Sequence, residues 1–265
     1  MTDVSSLERL LRRDRLLVGL CLAIVVLLAG WYILAGAGMG MSALAMTEPM
    51  RHMGPAMYTP WDVGYTLTMF AMWWVMMIAM MLPSATPTIL LATALNRRSG
   101  GSRPYGSASM FCLGYLLAWG AFSVVAVAAQ WLLERGGMLS MHMESLPRPL
   151  TAGLLLAAGA WQLTPLKAAC LRHCRSPADF LVRHRRPGAR GALRMGMHHG
   201  AYCLGCCWFL MALLFVGGVM NLYWIVGLAV FVFAEKVLRA GPLLGRITGL
   251  VLVAASVYVM VDGPL

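Results

Sequence analysis

Long runs of apolar residues recur along the chain and are separated by short polar or basic connections. A run of about 20 such residues is the length of a helix that crosses the hydrocarbon core of a bilayer. The pattern predicts seven such helices, of which the fifth and sixth are short and share a glycine-rich turn, so a re-entrant pair and six spans remain an alternative. The predicted spans are residues 16–37, 62–83, 108–133, 150–166, 201–218, 220–235 and 244–261.

The composition agrees with this pattern, because 60% of the 265 residues are hydrophobic and only 12% are charged. Such a chain predicts an all-α protein, a polytopic transmembrane helix bundle in which residues 1–265 form a single transmembrane helical domain. Its longest predicted connection is a basic loop at residues 167–200. No stretch is left for a separate soluble domain.

Lysine and arginine are concentrated in alternate connections, and cytoplasmic connections of membrane proteins are enriched in these residues. The N-terminus and the connections at 96–105, 167–200 and 236–246 hold 18 of the 21 basic residues. The other three are Arg51, Arg135 and Arg148. The distribution predicts a membrane protein with its N-terminus inside and its C-terminus outside. The net charge of +11 then reflects topology and contact with the lipid bilayer, and it does not indicate nucleic-acid binding.

Cysteine and histidine are concentrated near the predicted cytoplasmic face, in KAACLRHC (167–174) and HHGAYCLGCC (198–207). A reducing cytosol disfavours disulfides, which leaves metal binding, reactivity or packing as roles for these thiols. Thiolate and imidazole together suit copper(I), zinc or iron centres. The two segments could supply ligands to one metal site or to two, with copper as the first expectation and zinc or iron as alternatives.

Helical spacing selects the ligands, because His199, Cys203 and Cys206 follow one another at i, i+4 and i+7. Cys170 and Cys174 have the same four-residue spacing. The remaining candidate ligands are His198, Cys207, His173 and Glu235. The alternative interpretation is that cysteine serves as a small buried hydrophobe and that the histidines only decorate a basic loop. Glu235 in turn has the helical spacing for an ion pair with Arg239.

Methionine follows a different pattern, with a stripe along one face of the second predicted span. Thioether and imidazole without thiol suit copper in an oxidising compartment, and the outer connections contribute further methionines and histidines. The stripe is either a conduit for the ion or ordinary helix packing. The candidate residues of the conduit and outer site are Met69, Met72, Met76, Met80, Met81, His52, Met53 and His142. Pro83 and Pro87 are expected to kink or end this helix, with Ser84 and Thr86 able to satisfy the freed carbonyls.

Several enzyme and pump motifs are absent from the sequence. There is no GxxxxGK[ST] loop and no DKTG motif, which argues against an ATP-driven pump. HExxH and GxSxG are also absent, which argues against a zincin protease and a serine hydrolase. The absence of CxxCH argues against a c-type cytochrome. These absences favour a role other than enzymatic catalysis.

The segments AMMLP, CLRHC, HHGAYCLGCCW, GGVMNLYW and FAEK together resemble a bacterial family of predicted metal-binding integral membrane proteins. The resemblance covers roughly residues 61–240. It implies a location in the bacterial inner membrane and a metal role for His199, Cys203, Cys206 and Glu235, and it implies no particular reaction.

We therefore expect a membrane protein that binds a soft transition metal, with copper as the first expectation, and acts in its transport, handling or delivery to a metallochaperone or membrane cuproenzyme, as a monomer or oligomer. One alternative is a membrane oxidoreductase or assembly subunit with a fixed Cys/His centre. Another is a metal-free membrane scaffold that binds partner helices.

Overall fold

The computed structural model describes residues 4–39, 42–47, 61–98, 104–139, 147–184, 186 and 188–261, and within these ranges the regular elements are all helices. In chain order they are α1 (Val4–Leu34), α2 (Ala43–Thr47), α3 (Val63–Arg98), α4 (Pro104–Arg135), α5 (Arg148–Leu163), α6 (Pro165–Arg175), α7 (Pro177–Arg183), α8 (Gly188–Ala212), α9 (Leu214–Gly217), α10 (Leu222–Val237) and α11 (Gly241–Val261). The all-α prediction is confirmed.

Five helical stretches among the described residues are long and apolar enough to cross a membrane. They are Arg12–Leu34, Val63–Arg97, Gly106–Arg135, Gly188–Gly217 and Gly241–Val261. Helices α5 and α6 form a pair bent by 65°, which gives a sixth if the pair is one broken span. Helix α10 is apolar but has only 16 residues, about 24 Å at the helical rise. The structure thus has five or six candidate spans, and the seven-span count stays a prediction.

The segment predicted as a basic loop, residues 167–200, is mostly helical, so this part of the prediction is wrong. It contains most of α6, all of α7 and the first half of α8, which begins at Gly188 instead of residue 201. The local signals are clear in retrospect: Pro165 and Pro177 stand in the first turns of α6 and α7, and the Thr164 side chain accepts the Lys167 N–H. A search for charge-free runs misses helices whose arginines lie on one exposed face.

Helix α3 continues past both Pro83 and Pro87 to Arg98. Each proline removes one backbone donor, which leaves a carbonyl without its helical partner. Ser84 Oγ donates to the Met81 carbonyl at 2.8 Å and Thr86 Oγ1 to the Leu82 carbonyl at 3.0 Å. The carbonyls freed by the prolines are those of Ala79 and Pro83, four residues before each proline, so the expectation that Ser84 and Thr86 satisfy them is wrong.

Helices α4 and α8 pack in parallel with their backbones in direct contact. A Cβ atom built on Gly196 would lie 2.0 Å from the Phe111 carbonyl oxygen, and one on Gly114 would lie 2.1 Å from the Leu193 carbonyl oxygen. Only glycine permits this approach, because any side chain would separate the helices. The contact brings Tyr115 of α4 against α8.

Contacts between helix ends show in which direction other neighbouring helices run relative to each other. Asp14 pairs with Arg97, so α1 and α3 are antiparallel. Trp61 Nε1 donates to Glu134 Oε2 at 2.6 Å at one end of α3, and Asn96 Nδ2 donates to Ser107 Oγ at 3.2 Å at the other, so α3 and α4 are antiparallel as well. These directions agree with the predicted order of crossings. The orientation of the termini across a membrane stays a prediction.

Candidate metal site

Four thiols meet inside the bundle. Cys203, Cys206 and Cys207 lie on α8 with 1%, 0% and 0% of their surface exposed, and Cys174 of α6 is 9% exposed. Their side chains are hydrogen-bonding neighbours of one another, and the Cys206 and Cys207 thiols each donate to the Cys203 carbonyl, at 3.0 and 2.9 Å. We call these four residues the thiol cluster. The structure thus brings together cysteines of the two cysteine-bearing segments, which the sequence alone left open.

Two further helices contact the sulfur of Cys203, and a third is linked to it through Lys236. The Tyr115 hydroxyl of α4 lies 3.1 Å from Cys203 Sγ. Lys236 Nζ of α10 donates to the same sulfur at 3.0 Å and to Ser84 Oγ of α3 at 3.1 Å. Lys236 is only 7% exposed. Its ammonium therefore occupies one side of the thiol cluster, and a metal ion that approached from that side would have to displace it.

The sequence analysis missed Tyr115, Lys236 and Ser84 as neighbours of the thiols. Lys236 carried a usable signal, since a charged residue that closes an apolar helix is commonly functional. It was counted only as a topological charge. No feature of the sequence distinguishes Tyr115, because tyrosine is common in apolar helices.

His199 lies one helical turn before Cys203 and is 2% exposed. Three aromatic rings surround it, with centroids 5.1 Å (Phe180), 5.8 Å (Tyr115) and 5.9 Å (Phe111) away. Its Nδ1 atom has no hydrogen-bond partner among the residues that the structure describes. Buried polar nitrogens are rarely left without a partner, so this atom is a candidate ligand.

Three of the other expected ligands lie outside the thiol cluster. Cys170 of α6 is half-buried, and its Sγ atom would lie 2.7 Å from a Cβ atom on Gly205, so the thiol packs against the backbone of α8 next to Cys206. His173 and His198 face away from the thiols. They lie together with His184 near the surface, and we call these three residues the imidazole cluster.

Glu235 is fully buried and pairs with Lys167 of α6, which is also buried. The pair with Arg239 expected from helical spacing is wrong. Helix α10 ends at Val237 and Leu238 is extended (φ −73°, ψ 144°), so Arg239 leaves the helical register. The second carboxylate oxygen, Oε2, has no hydrogen-bond partner in the described part of the chain. Its role as a metal ligand stays a prediction.

The methionine stripe of α3 is entirely buried: Met69, Met72 and Met76 are 0% exposed and Met80 is 3% exposed. At one end Gln130 Nε2 donates to Met69 Sδ at 3.5 Å. Beside the other end, the Met81 carbonyl accepts the Tyr115 hydroxyl at 3.1 Å, and that hydroxyl also contacts Cys203. We call Met69, Met72, Met76 and Met80 the methionine ladder. The proposed outer residues His52, Met53 and His142 lie outside the described residues.

Within the described ranges, no three His, Cys, Asp or Glu side chains are already arranged around a common point as metal ligands. Two of the four thiols point to a backbone carbonyl, and Cys203 points to Lys236 and Tyr115. Coordination by the thiol cluster therefore requires these side chains to turn.

A family model described as PpoB2, copper chaperone, matches residues 70–259. The chain belongs to this family. The matched region contains the thiol cluster, the methionine ladder from Met72 onward, His199 and Lys236. The description names copper, and it gives no support to the zinc or iron alternatives. The comparison with curated proteins found no match, and the comparison with solved structures found none either.

Proposed function

We propose that this protein is an integral membrane copper chaperone that binds Cu(I) at the thiol cluster and passes it to a metallochaperone or a membrane cuproenzyme. The observation that carries the proposal is the burial of four thiols from two helices, one turn from the unpartnered Nδ1 of His199. The copper chaperone description of the family supports the choice of metal.

Cu(I) is a soft ion that prefers thiolate ligands. Cys203 and Cys206 are the proposed primary ligands, with Cys207, Cys174 and His199 within reach of the same ion. Each thiol releases its proton as it binds the metal. Two thiolates and one Cu(I) leave a single negative charge. The Lys236 ammonium would balance this charge in place, and an unpaired charge is costly to bury.

A chaperone must release its metal as well as bind it. The ligands lie on two helices, because Cys174 belongs to α6 and the other thiols belong to α8. Movement of α6 away from α8 would remove Cys174 from the site and open it. Copper would then pass to a partner without the use of ATP. A fixed redox or structural centre, in contrast, would retain its copper against a chelator.

The experiment is Cu(I) loading of the purified protein under reducing conditions, followed by elemental analysis. We expect near-stoichiometric copper in the wild type and its loss in Cys203→Ser/Cys206→Ser. The matched control is Cys21→Ser/Cys112→Ser, which removes two thiols outside the cluster and should keep the copper. Retention of copper by the Cys203/Cys206 variant would contradict the proposal.

The buried methionine ladder favours a second candidate function, in which copper crosses the membrane to the thiol cluster. Thioethers bind Cu(I) weakly enough to release it, which a conduit requires. The Tyr115 hydroxyl contacts both Cys203 Sγ and the backbone carbonyl of Met81, the residue that follows the last methionine of the ladder. Packing alone would explain the burial equally well, so the test must separate thioether chemistry from volume.

We expect Met72→Leu/Met76→Leu, which keeps the volume and removes two thioethers, to slow copper entry into vesicles that contain the protein. A volume-conserving swap of this kind costs less than about 1.5 kcal/mol, so folding should persist. The control is Met260→Leu, because Met260 is 57% exposed on α11. Equal entry rates for the wild type and the ladder variant would show that the ladder is only packing.

A further inference from the structure

The imidazole cluster draws its three members from three different helices. His173 lies on α6, His184 caps the end of α7, and His198 lies on α8. The ring centroids of His184 and His198 are 5.0 Å apart, and those of His173 and His184 are 6.4 Å apart. The ring of Tyr202 lies among them and stacks on His173 at 4.0 Å with an interplanar angle of 2°. These residues are therefore brought together by the packing of three helices.

Two of the three rings are held in a defined tautomer. Nδ1 of His173 lies 2.9 Å from the Ala169 carbonyl oxygen, and Nδ1 of His184 lies 3.1 Å from the Phe180 carbonyl oxygen. In a neutral imidazole, an Nδ1–H that donates to a carbonyl leaves the lone pair on Nε2. Metal-binding histidines are commonly held in this way, with one ring nitrogen on a backbone carbonyl and the other on the metal.

The imidazole cluster opens to a surface cavity and backs onto the buried site. His184 and His198 line a cavity of about 350 Å³ together with Met195 and Met197. On the inner side, the Phe180 ring stacks on His184 at 4.8 Å and lies 5.1 Å from the His199 ring. One aromatic side chain thus lies between His184 and His199, the histidine next to the thiol cluster.

We propose that His173, His184 and His198 form a second, surface-facing copper site through which Cu(I) passes between solution or a partner and the thiol cluster. The inference rests on the proposed function. The three rings do not converge on one point in the structure, and rotation of the exposed His198 side chain would bring its ring toward the two anchored ones. The neighbouring thioethers Met195 and Met197 are further soft donors.

Arg186 and Arg194 also line the cavity, and their guanidinium groups repel cations. The repulsion is smaller for a monovalent ion than for a divalent one. It also weakens binding, which suits a transfer site because such a site must release its ion. The same arginines would attract an acidic surface on a partner that delivers or receives the copper.

The test is carbethoxylation of histidine by diethyl pyrocarbonate, mapped by mass spectrometry on the full-length solubilised protein with and without Cu(I). A ligated nitrogen does not react. We expect copper at about ten times its dissociation constant to slow modification of His184 and His198 about tenfold, in the wild type and in Cys203→Ser/Cys206→Ser alike. No protection in the wild type would overturn the inference.

The variant His173→Phe/His184→Phe keeps aromatic rings in the cluster and removes their lone pairs. It should lose the copper protection of His198 and load the thiol cluster more slowly, with the same final copper at the thiols. His173→Ala/His184→Ala should behave alike. Loss of protection in the alanine variant with full protection in the phenylalanine variant would assign the effect to packing and overturn the inference.

The two proposals fail in different ways. If the wild type is protected and the Cys203/Cys206 variant is not, the protection depends on the thiol cluster, and the second site is overturned while the proposed function stands. If the Cys203/Cys206 variant keeps both its full copper content and its protection, the imidazole site stands and the thiol cluster is not the copper site.

Discussion

Cys203 is the residue on which the contacts of the thiol cluster centre. Its sulfur contacts Tyr115 and Lys236, and its carbonyl accepts the thiols of Cys206 and Cys207. Thiols and hydroxyls can exchange such partners by rotation of side chains alone. Lys236 differs, because a buried cation needs an anionic or strongly polar partner wherever it lies.

Removal of the Lys236 charge should therefore weaken copper binding. In Lys236→Met, two thiolates and one Cu(I) would leave a buried negative charge uncompensated, a situation that costs about 3–5 kcal/mol when one partner of a buried ion pair is removed. We expect at least about a tenfold loss of Cu(I) affinity, measured by competition with a colorimetric Cu(I) chelator.

Lys236→Arg is the matched control, because it keeps the charge and should keep most of the affinity. Equal affinities for Lys236→Met and the wild type would show that the ammonium does not compensate the metal–thiolate charge. A gain of affinity in Lys236→Met would show instead that Lys236 acts mainly as a competitor for Cys203.

Helical spacing was a good guide to the residues of one helix face and a poor guide to contacts between helices. It correctly placed Cys203 and Cys206 on one face, beside His199. It paired Glu235 with Arg239, whereas the structure pairs Glu235 with Lys167 from a distant segment. Such a partner depends on the packing of α6 against α10, which no local pattern in the sequence encodes.

At the scale of elements, the close contact of α4 and α8 positions the thiol cluster. The contact depends on Gly114, Gly196 and Gly200, which face α4 or α8 backbone and small side chains. A methyl group at Gly196 would meet the Phe111 carbonyl, so the helices must separate or shift to accept it. That shift would also move Tyr115 away from Cys203.

We expect Gly196→Ala to destabilise the protein by about 1–3 kcal/mol, the usual range for overpacking, and to expose Cys203 to alkylation. The measurements are the thermal unfolding of the solubilised protein and the rate at which a maleimide labels α8. Gly227→Ala is the control, because a Cβ atom there meets nothing within 4 Å among the described residues. Unchanged stability and labelling in Gly196→Ala would refute this account of the helix contact.

The helices most apolar in sequence were predicted well, and the amphipathic ones were not. Helices α3, α4 and α11 overlap the predicted spans and extend beyond most of their ends, because membrane-length apolar runs are a strong signal. Helices α6 and α7 were read as loop, since their arginines interrupt every apolar run. Cys174 and His173 lie on α6, and His184 caps α7. Because these helices were read as loop, the formation of the imidazole cluster could not be predicted.

On the scale of the whole molecule, charged contacts between α6 and the C-terminal end of α10 mark one end of the bundle. Lys167 pairs with Glu235 there, and Arg175 Nη1 donates to the carbonyls of Glu235 and Leu238, both at 2.6 Å. The thiol cluster and the imidazole cluster lie toward this end. The methionine ladder runs from it toward the opposite end, so the soft donors of the described residues extend along much of the bundle.

The central claim is that the thiol cluster binds the copper, and X-ray absorption at the copper K-edge tests it most directly. The spectrum of the Cu(I)-loaded wild type should show a first shell dominated by sulfur, and Cys203→Ser/Cys206→Ser should lose that sulfur shell while Cys21→Ser/Cys112→Ser keeps it. A first shell of nitrogen or oxygen in the wild type, or an unchanged sulfur shell in the Cys203/Cys206 variant, would contradict the claim.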